Sequence, residues 1–219
     1  MSFSAEVKEE LEKIMPQARH CRLAELSAIV EFGCHIEETN GEIRITIHSE
    51  NDAVARKYFT LWKKTFNIGT DVAKALQALK FTGDNAGAGK GADPVLIKSS
   101  CCKRAYLRGA FLCIGSMSNP EKGYHLEFVC ETDRQALQIQ EAIHSFDIEA
   151  KVVRRKKYDV VYLKEGAGIV DLLNVMGAHV SLMNLENLRI EKEMRNSINR
   201  QVNCETANIT KTVNAASRQ

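Results

Sequence analysis

The chain has 219 residues, of which 44% are hydrophobic, 26% charged and 6% aromatic, with three prolines. This is the balance of a globular protein of one or two domains, and it excludes disordered, collagen-like and mucin-like chains. The net charge of +2 divides unevenly: residues 1–150 hold 18 Lys+Arg against 21 Asp+Glu, a net of −3, and residues 151–219 hold 12 against 7, a net of +5. An anionic partner would therefore meet the C-terminal third, although a solvated basic surface accounts for the asymmetry equally well.

The N-terminal stretch 1–15 is acidic and amphipathic, unlike a signal or transit peptide, which implies residence in the cytoplasm. Leu23, Ala24, Leu26, Ala28, Ile29, Val30 and Phe32 make the next segment apolar nearly all round, as in a buried helix. Alternation over 42–48, after Asn40-Gly41, predicts a strand. An amphipathic helix follows over 51–66, opened by Asn51, with Phe59 and Trp62 as expected core anchors. The glycine-rich run from Gly83 to Pro94 is not a phosphate loop. Asp84 stands where the first glycine belongs, and Gly91 rather than a hydroxyl follows Lys90, so the run reads as a flexible loop.

The most apolar stretch, 105–117, carries Arg108 in its middle, and no run reaches the ~18 residues needed to cross a bilayer. Its Leu107, Ala110, Phe111, Leu112 and Ile114 predict a second buried helix, with Gly109 and Ala110 small enough for close helix approach. A strand over 124–130, a helix over 132–146, a strand pair over 151–157 and 160–164 and a helix from Gly168 to Met176 follow. In the last segment Ile198, Val202, Ile209, Val213 and Ala216 form an apolar stripe at helical spacing.

An internal repeat organises these elements. Leu26 and Leu107 differ by 107 − 26 = 81, the same offset places Glu50-Asn51-Asp52 on Glu131-Thr132-Asp133, and 146 − 66 = 80 relates Phe66 to Phe146. The chain thus holds a duplicated unit of about 80 residues, a pattern that must be found before any fold is assigned. The first copy should carry a strand pair between 69 and 98 to match the second.

Seven cysteines, an odd number in a long chain without a secretion signal, read as reduced thiols acting as small buried apolar residues. No CxxC pair occurs, and Cys101 and Cys102 are adjacent with other ligand types far away in sequence, so no metal site is expected. The six histidines show no metal-binding or triad spacing.

A duplicated unit whose paired helices read LAELSAIVEFG and YLRGAFLCIGS resembles the LAGLIDADG homing-endonuclease architecture. The longer strings at 101–132 and 199–219 resemble the WhiA family, regulators of sporulation and cell division in Gram-positive bacteria. The resemblance implies an α+β fold of two pseudo-twofold-related halves, about 18–98 and 99–185, with paired central helices and two antiparallel sheets. It also implies a LAGLIDADG-like domain over 1–190 and a linker helix over 191–219 leading to a helix-turn-helix domain. In active endonucleases of this architecture each central helix ends in a metal-binding acid. The matching positions here are Gly33 and Ile114, which cannot ligate a hard cation. Glu31 lies two residues earlier, about 200° round the helix, and is expected to turn away from the seam. The resemblance therefore implies a nucleoid-associated, non-catalytic regulator without a cofactor, with double-stranded promoter DNA and another regulatory protein as its partners.

Two groups could touch phosphates. Arg154, Arg155, Lys156 and Lys157 lie where the resembled fold presents its sheet to DNA, although charge at a hairpin edge also blocks aggregation. Arg200, Asn203, Lys211, Asn214 and Arg218 fall near one face of the C-terminal helix, which reads first as a plain interdomain helix with a wet side and second as a surface in contact with DNA.

Overall fold

Local chemistry sets the helix starts. The Asn51 side chain accepts from Ala53 N at 2.9 Å and opens α3 (Asp52–Thr65), while Thr132 and Gln135 form a reciprocal capping box at the start of α6 (Asp133–His144). Both lie in a computed structural model that describes residues 2–39, 42–49, 51–66, 70–81 and 91–217.

The duplication is plain in the element order. The first repeat runs α2 (Arg19–Gly33), β1 (Cys34–Thr39), β2 (Glu42–Ile47), α3; the second runs α5 (Ser100–Ile114), β3 (Gly115–Met117), β4 (Leu126–Cys130), α6. Both ends of α2 map onto those of α5 at one offset, 100 − 19 = 114 − 33 = 81. Strands β1 and β3 escape the sequence reading because one is mostly polar and the other is three residues long.

The second repeat continues with β5 (Lys151–Arg155), β6 (Tyr158–Leu163) and α7 (Gly166–Met176), giving an antiparallel sheet in the order β3-β4-β6-β5. Among the described residues the first repeat has only the β1-β2 pair. The strand pair expected between 69 and 98 is not found there. A short helix, α4 (Val72–Ala78), occupies part of that stretch, and much of the glycine-rich run lies outside the described residues.

Helix α1 (Phe3–Lys13) precedes the first repeat and α8 (His179–Ala216) follows the second. The Glu10 carboxylate accepts from Val180 N at 2.7 Å and Ser181 N at 2.9 Å, a negative charge on the positive end of α8. Residues Met1–Leu182 form one body and Met183–Gln219 a second. The second is helix, mostly exposed after Leu185, with intrahelical pairs such as Arg189–Glu186 at 2.6 Å and Arg195–Glu191 at 3.2 Å. The helix is continuous through residue 190. No helix among the described residues is long and apolar enough to cross a membrane.

The centre of the first body is the α2–α5 pair. Gly109 and Ala28, equivalent positions of the repeat (109 − 28 = 81), face each other there. A Cβ on Gly109 would stand 2.6 Å from the Glu25 carbonyl oxygen and 2.9 Å from the Ala28 Cβ. Leu26, Ile29, Leu107, Ala110, Phe111 and Leu112 are fully buried around this contact. Phe59 is not the core anchor expected: it is 64% exposed, because α3 buries its Ala53, Val54, Lys57, Tyr58 and Leu61 side instead. Trp62 is half-buried and packs against the rings of Tyr58 and Phe66.

Three charges lie inside this apolar centre. Arg108 Nε and Nη2 donate to the two carboxylate oxygens of Glu25 at 3.0 and 3.1 Å, and Lys57 Nζ is 3.1 Å from Oε1. One acid faces two bases, and the surplus positive charge meets carbonyls at helix ends. Lys57 donates to Leu11 O and Glu12 O at 3.3 Å and to Ile14 O, while Arg108 Nη1 donates to Met176 O at 2.8 Å. These carbonyls lie at the negative C-terminal ends of α1 and α7. Burial pushes the Lys57 ammonium below its ordinary lysine value, and Glu25 offsets only part of that.

Removing the shared acid leaves two buried cations unpaired. Glu25→Ala is expected to cost about 3–5 kcal/mol in urea unfolding; a loss below about 1 kcal/mol would show that the network contributes little. Gly109→Val, which drives a side chain into the Glu25 backbone, is expected to lower the unfolding midpoint markedly, whereas Gly123→Ala, where a Cβ meets nothing within 4 Å, is expected to leave it nearly unchanged.

Candidate nucleic-acid interface

The four-stranded sheet has two unlike faces, set by alternation. Leu126, Phe128 and Cys130 on β4 and Asp159, Val161 and Leu163 on β6 are buried beneath α5 and α6. The register places Glu127 opposite Tyr162, Lys151 opposite Tyr162 and Arg155 opposite Tyr158, so these residues share the other face, which is open at these positions although Val160 on the same side is buried. Lys164 stands over the Tyr162 ring at 5.2 Å and Lys157 over the Tyr158 ring at 5.0 Å. The open face thus carries two tyrosines ringed by cations, a surface suited to phosphates and sugar edges.

Strand β5 is the sheet edge and is exposed along its length. It ends at Arg155 rather than at Lys157, and Lys156 takes a φ of 55° in the tight connection to β6. The basic run therefore separates into three environments. Arg154 lies on the helix-packed side and pairs with Asp159. Arg155 lies on the open side, 2.8 Å from Glu127 Oε2. Lys156 and Lys157 occupy the turn itself. Burial raises the Glu127 carboxyl, but the His125 hydrogen bond at 2.8 Å and the Arg155 charge together hold it below its ordinary value. Two of the four cations are thus partly neutralised by carboxylates of their own sheet.

Arg200, Asn203 and Lys211 are exposed on α8; Arg218 lies outside the described residues. The apolar stripe of that helix is exposed as well, with Ile198 at 58%, Ile209 at 64% and Val213 at 56%.

At the C-terminal ends of α2 and α5, where the homing-endonuclease architecture places its acids, a cleft of about 780 Å³ is lined by Glu31, Gly33, Ile114, Glu131, Gln135 and Tyr158 among others. Gly33 and Ile114 provide no oxygen side chain. Glu31 does not turn away as expected. It is 7% exposed and crosses to the second repeat, accepting from Gln135 Nε2 at 2.7 Å and from Gly91 N at 3.0 Å. Its equivalent in the second repeat is Leu112 (112 − 31 = 81), so no symmetric carboxylate pair exists across the seam. The symmetric pair of motif acids that holds the divalent ions in that architecture is therefore missing at Gly33 and Ile114.

The other end of the same helix pair gathers residues that are remote in sequence. His20, Cys21, Cys101 and Cys102 place their ligand atoms within 4.8 Å of one another. Sequence reasoning missed this group because neither spacing nor adjacency reveals it; the only signal was the repeat offset, 101 − 20 = 102 − 21 = 81. The cysteines are also less uniformly buried than expected, since Cys101 and Cys204 are exposed and Cys34 and Cys113 are half-buried.

Residues 19–78 match the WhiA N-terminal LAGLIDADG-like domain and residues 103–195 the WhiA LAGLIDADG-like domain. The chain is 53% identical over 249 residues to the probable cell division protein WhiA of Lachnoclostridium phytofermentans, covering 100% of this chain and 79% of that protein. It is 45% identical over 247 residues to that of Thermoanaerobacter pseudethanolicus, covering 100% and 78%. Among solved structures, full-length DUF199/WhiA from Thermatoga maritima superposes with a TM-score of 0.76 at 21% identity, over 100% of this chain and 77% of that one. The N-terminal LAGLIDADG domain of DUF199/WhiA superposes at 0.59, also at 21% identity, over 80% and 92%. The solved structures speak for the duplicated fold and the sequence relatives for descent: the chain belongs to the WhiA family.

Proposed function

We propose that this chain is a DNA-associated regulator of cell division and sporulation, built on an endonuclease-like scaffold that does not cut. The observation that carries the reading is the pairing of an open sheet face with central-helix motif positions that lack acids. Lys151, Arg155, Tyr158, Tyr162 and Lys164 remain where phosphates can be met, while Gly33 and Ile114 cannot hold a hydrolytic metal. The name of the relatives supports the cell-division part. The chain adds backbone contacts to promoter recognition, which places it on the nucleoid in the cytoplasm, and sequence reading belongs to a helix-turn-helix domain.

The exposed stripe Met194, Ile198, Val202, Ile209 and Val213 favours a second reading, a scaffold that docks another regulatory protein and leaves DNA to the helix-turn-helix domain.

Fluorescence anisotropy of the 219-residue chain on labelled duplex separates the two. Salt-sensitive binding is expected. Replacing Arg155, Lys156 and Lys157 by Gln should weaken it across all sequences and reduce the log–log salt slope by about one for each phosphate no longer neutralised. Absence of binding even at low salt would overturn the DNA reading in favour of the docking scaffold.

A further inference from the structure

The two central helices begin side by side. His20 and Cys21 lie in the first turn of α2, and Cys101 and Cys102 at the equivalent positions of α5, so the pseudo-twofold sets one dipeptide against the other. Cys21 and Cys102 are buried with Ala24 and Ala105 between the helices, while His20 and Cys101 are on the solvent side. This is the one group of its kind among the described residues.

We propose that His20, Cys21, Cys101 and Cys102 form a tetrahedral Cys3His site for a zinc ion that staples the two repeats together. The ligand set is that of closed structural zinc sites. Zinc–sulfur and zinc–nitrogen bonds of about 2.3 and 2.0 Å place ligand atoms about 3.5–3.8 Å apart in a tetrahedron. The Cys101 Sγ to His20 Nε2 distance is already 3.7 Å, and small side-chain rotations close the remaining spread.

The electrostatics agree with the geometry. Three thiolates and one zinc ion carry a net charge of −1, and two helix N-termini converge on it with their positive ends. Arg19, Arg22, Lys103 and Arg104 flank the ligands in sequence. The site lies at the opposite end of α2 from Gly33, about 18 Å away at 1.5 Å per residue, and is independent of the absent hydrolytic acids.

The test uses the full chain, reduced and stripped of metal, titrated with zinc against a chromogenic chelator and separately with cobalt(II). One equivalent should bind, with thiolate-to-cobalt charge-transfer bands and the visible spectrum of a tetrahedral centre, and zinc should raise the thermal midpoint. Cys101→Ser and His20→Ala alter exposed residues and should keep the native circular dichroism while weakening binding by about a hundredfold or more. Cys204→Ser, at an exposed cysteine that is not one of the four ligands, should change nothing. Absence of stoichiometric binding would overturn the site. So would binding indifferent to Cys101→Ser and His20→Ala, or an air-formed disulfide among these thiols in a protein that takes up no metal once reduced.

Discussion

One buried carboxylate holds the centre of this fold. Glu25 is out of contact with solvent and serves two cations from different helices, Arg108 on α5 and Lys57 on α3. Those cations in turn reach carbonyls at the ends of α1 and α7. Five helices thus meet at a single acid. A buried charge is costly unless fully paired, so the cluster tolerates only the arrangement in which every donor finds its acceptor. The apolar seam around it supplies burial energy and, at Gly109 and Ala28, the close crossing of α2 and α5, while the bidentate Arg108–Glu25 pair holds their rotation about that contact.

The same seam has two unlike ends. At the C-terminal end Gly33, Ile114 and the cross-bonded Glu31 make a cleft with no symmetric acids, in a scaffold whose architecture elsewhere does metal chemistry. At the N-terminal end the twofold relation brings two His/Cys-type dipeptides together. Duplication underlies both: residues close to the pseudo-twofold axis meet their own equivalents, as Gly109 meets Ala28, so substitutions there act on paired positions. The sheets do not share this symmetry. Among the described residues the second half has four strands against two in the first, and the tyrosine-bearing, cation-rimmed face lies on the second.

Much of this was legible without coordinates, because the period of the apolar pattern and the Asn51 and Thr132 caps report local backbone geometry directly. Helices α2, α5, α3 and α6 fall within a few residues of where the pattern puts them. The misses have physical causes. Phe59 is aromatic but lies on the far side of α3, since the buried Lys57 takes the inward position a hydrophobic reading assigns to rings. The basic run 154–157 reads as one patch, yet pleating sends Arg154 and Arg155 to opposite faces and to separate carboxylates.

Residue identities at known spacing were enough to establish the duplication, the buried central helices, the loss of acids at the motif positions Gly33 and Ile114 and the family. Spacing along a chain exists before folding does, which is why these features can be read in one dimension. Folding alone makes neighbours of distant residues: Glu25 with Lys57, Glu31 with Gln135, and His20-Cys21 with Cys101-Cys102. Such pairings depend on how two helices cross and rotate, and the crossing follows from packing at Gly109 and Ala28. No one-dimensional period carries that information.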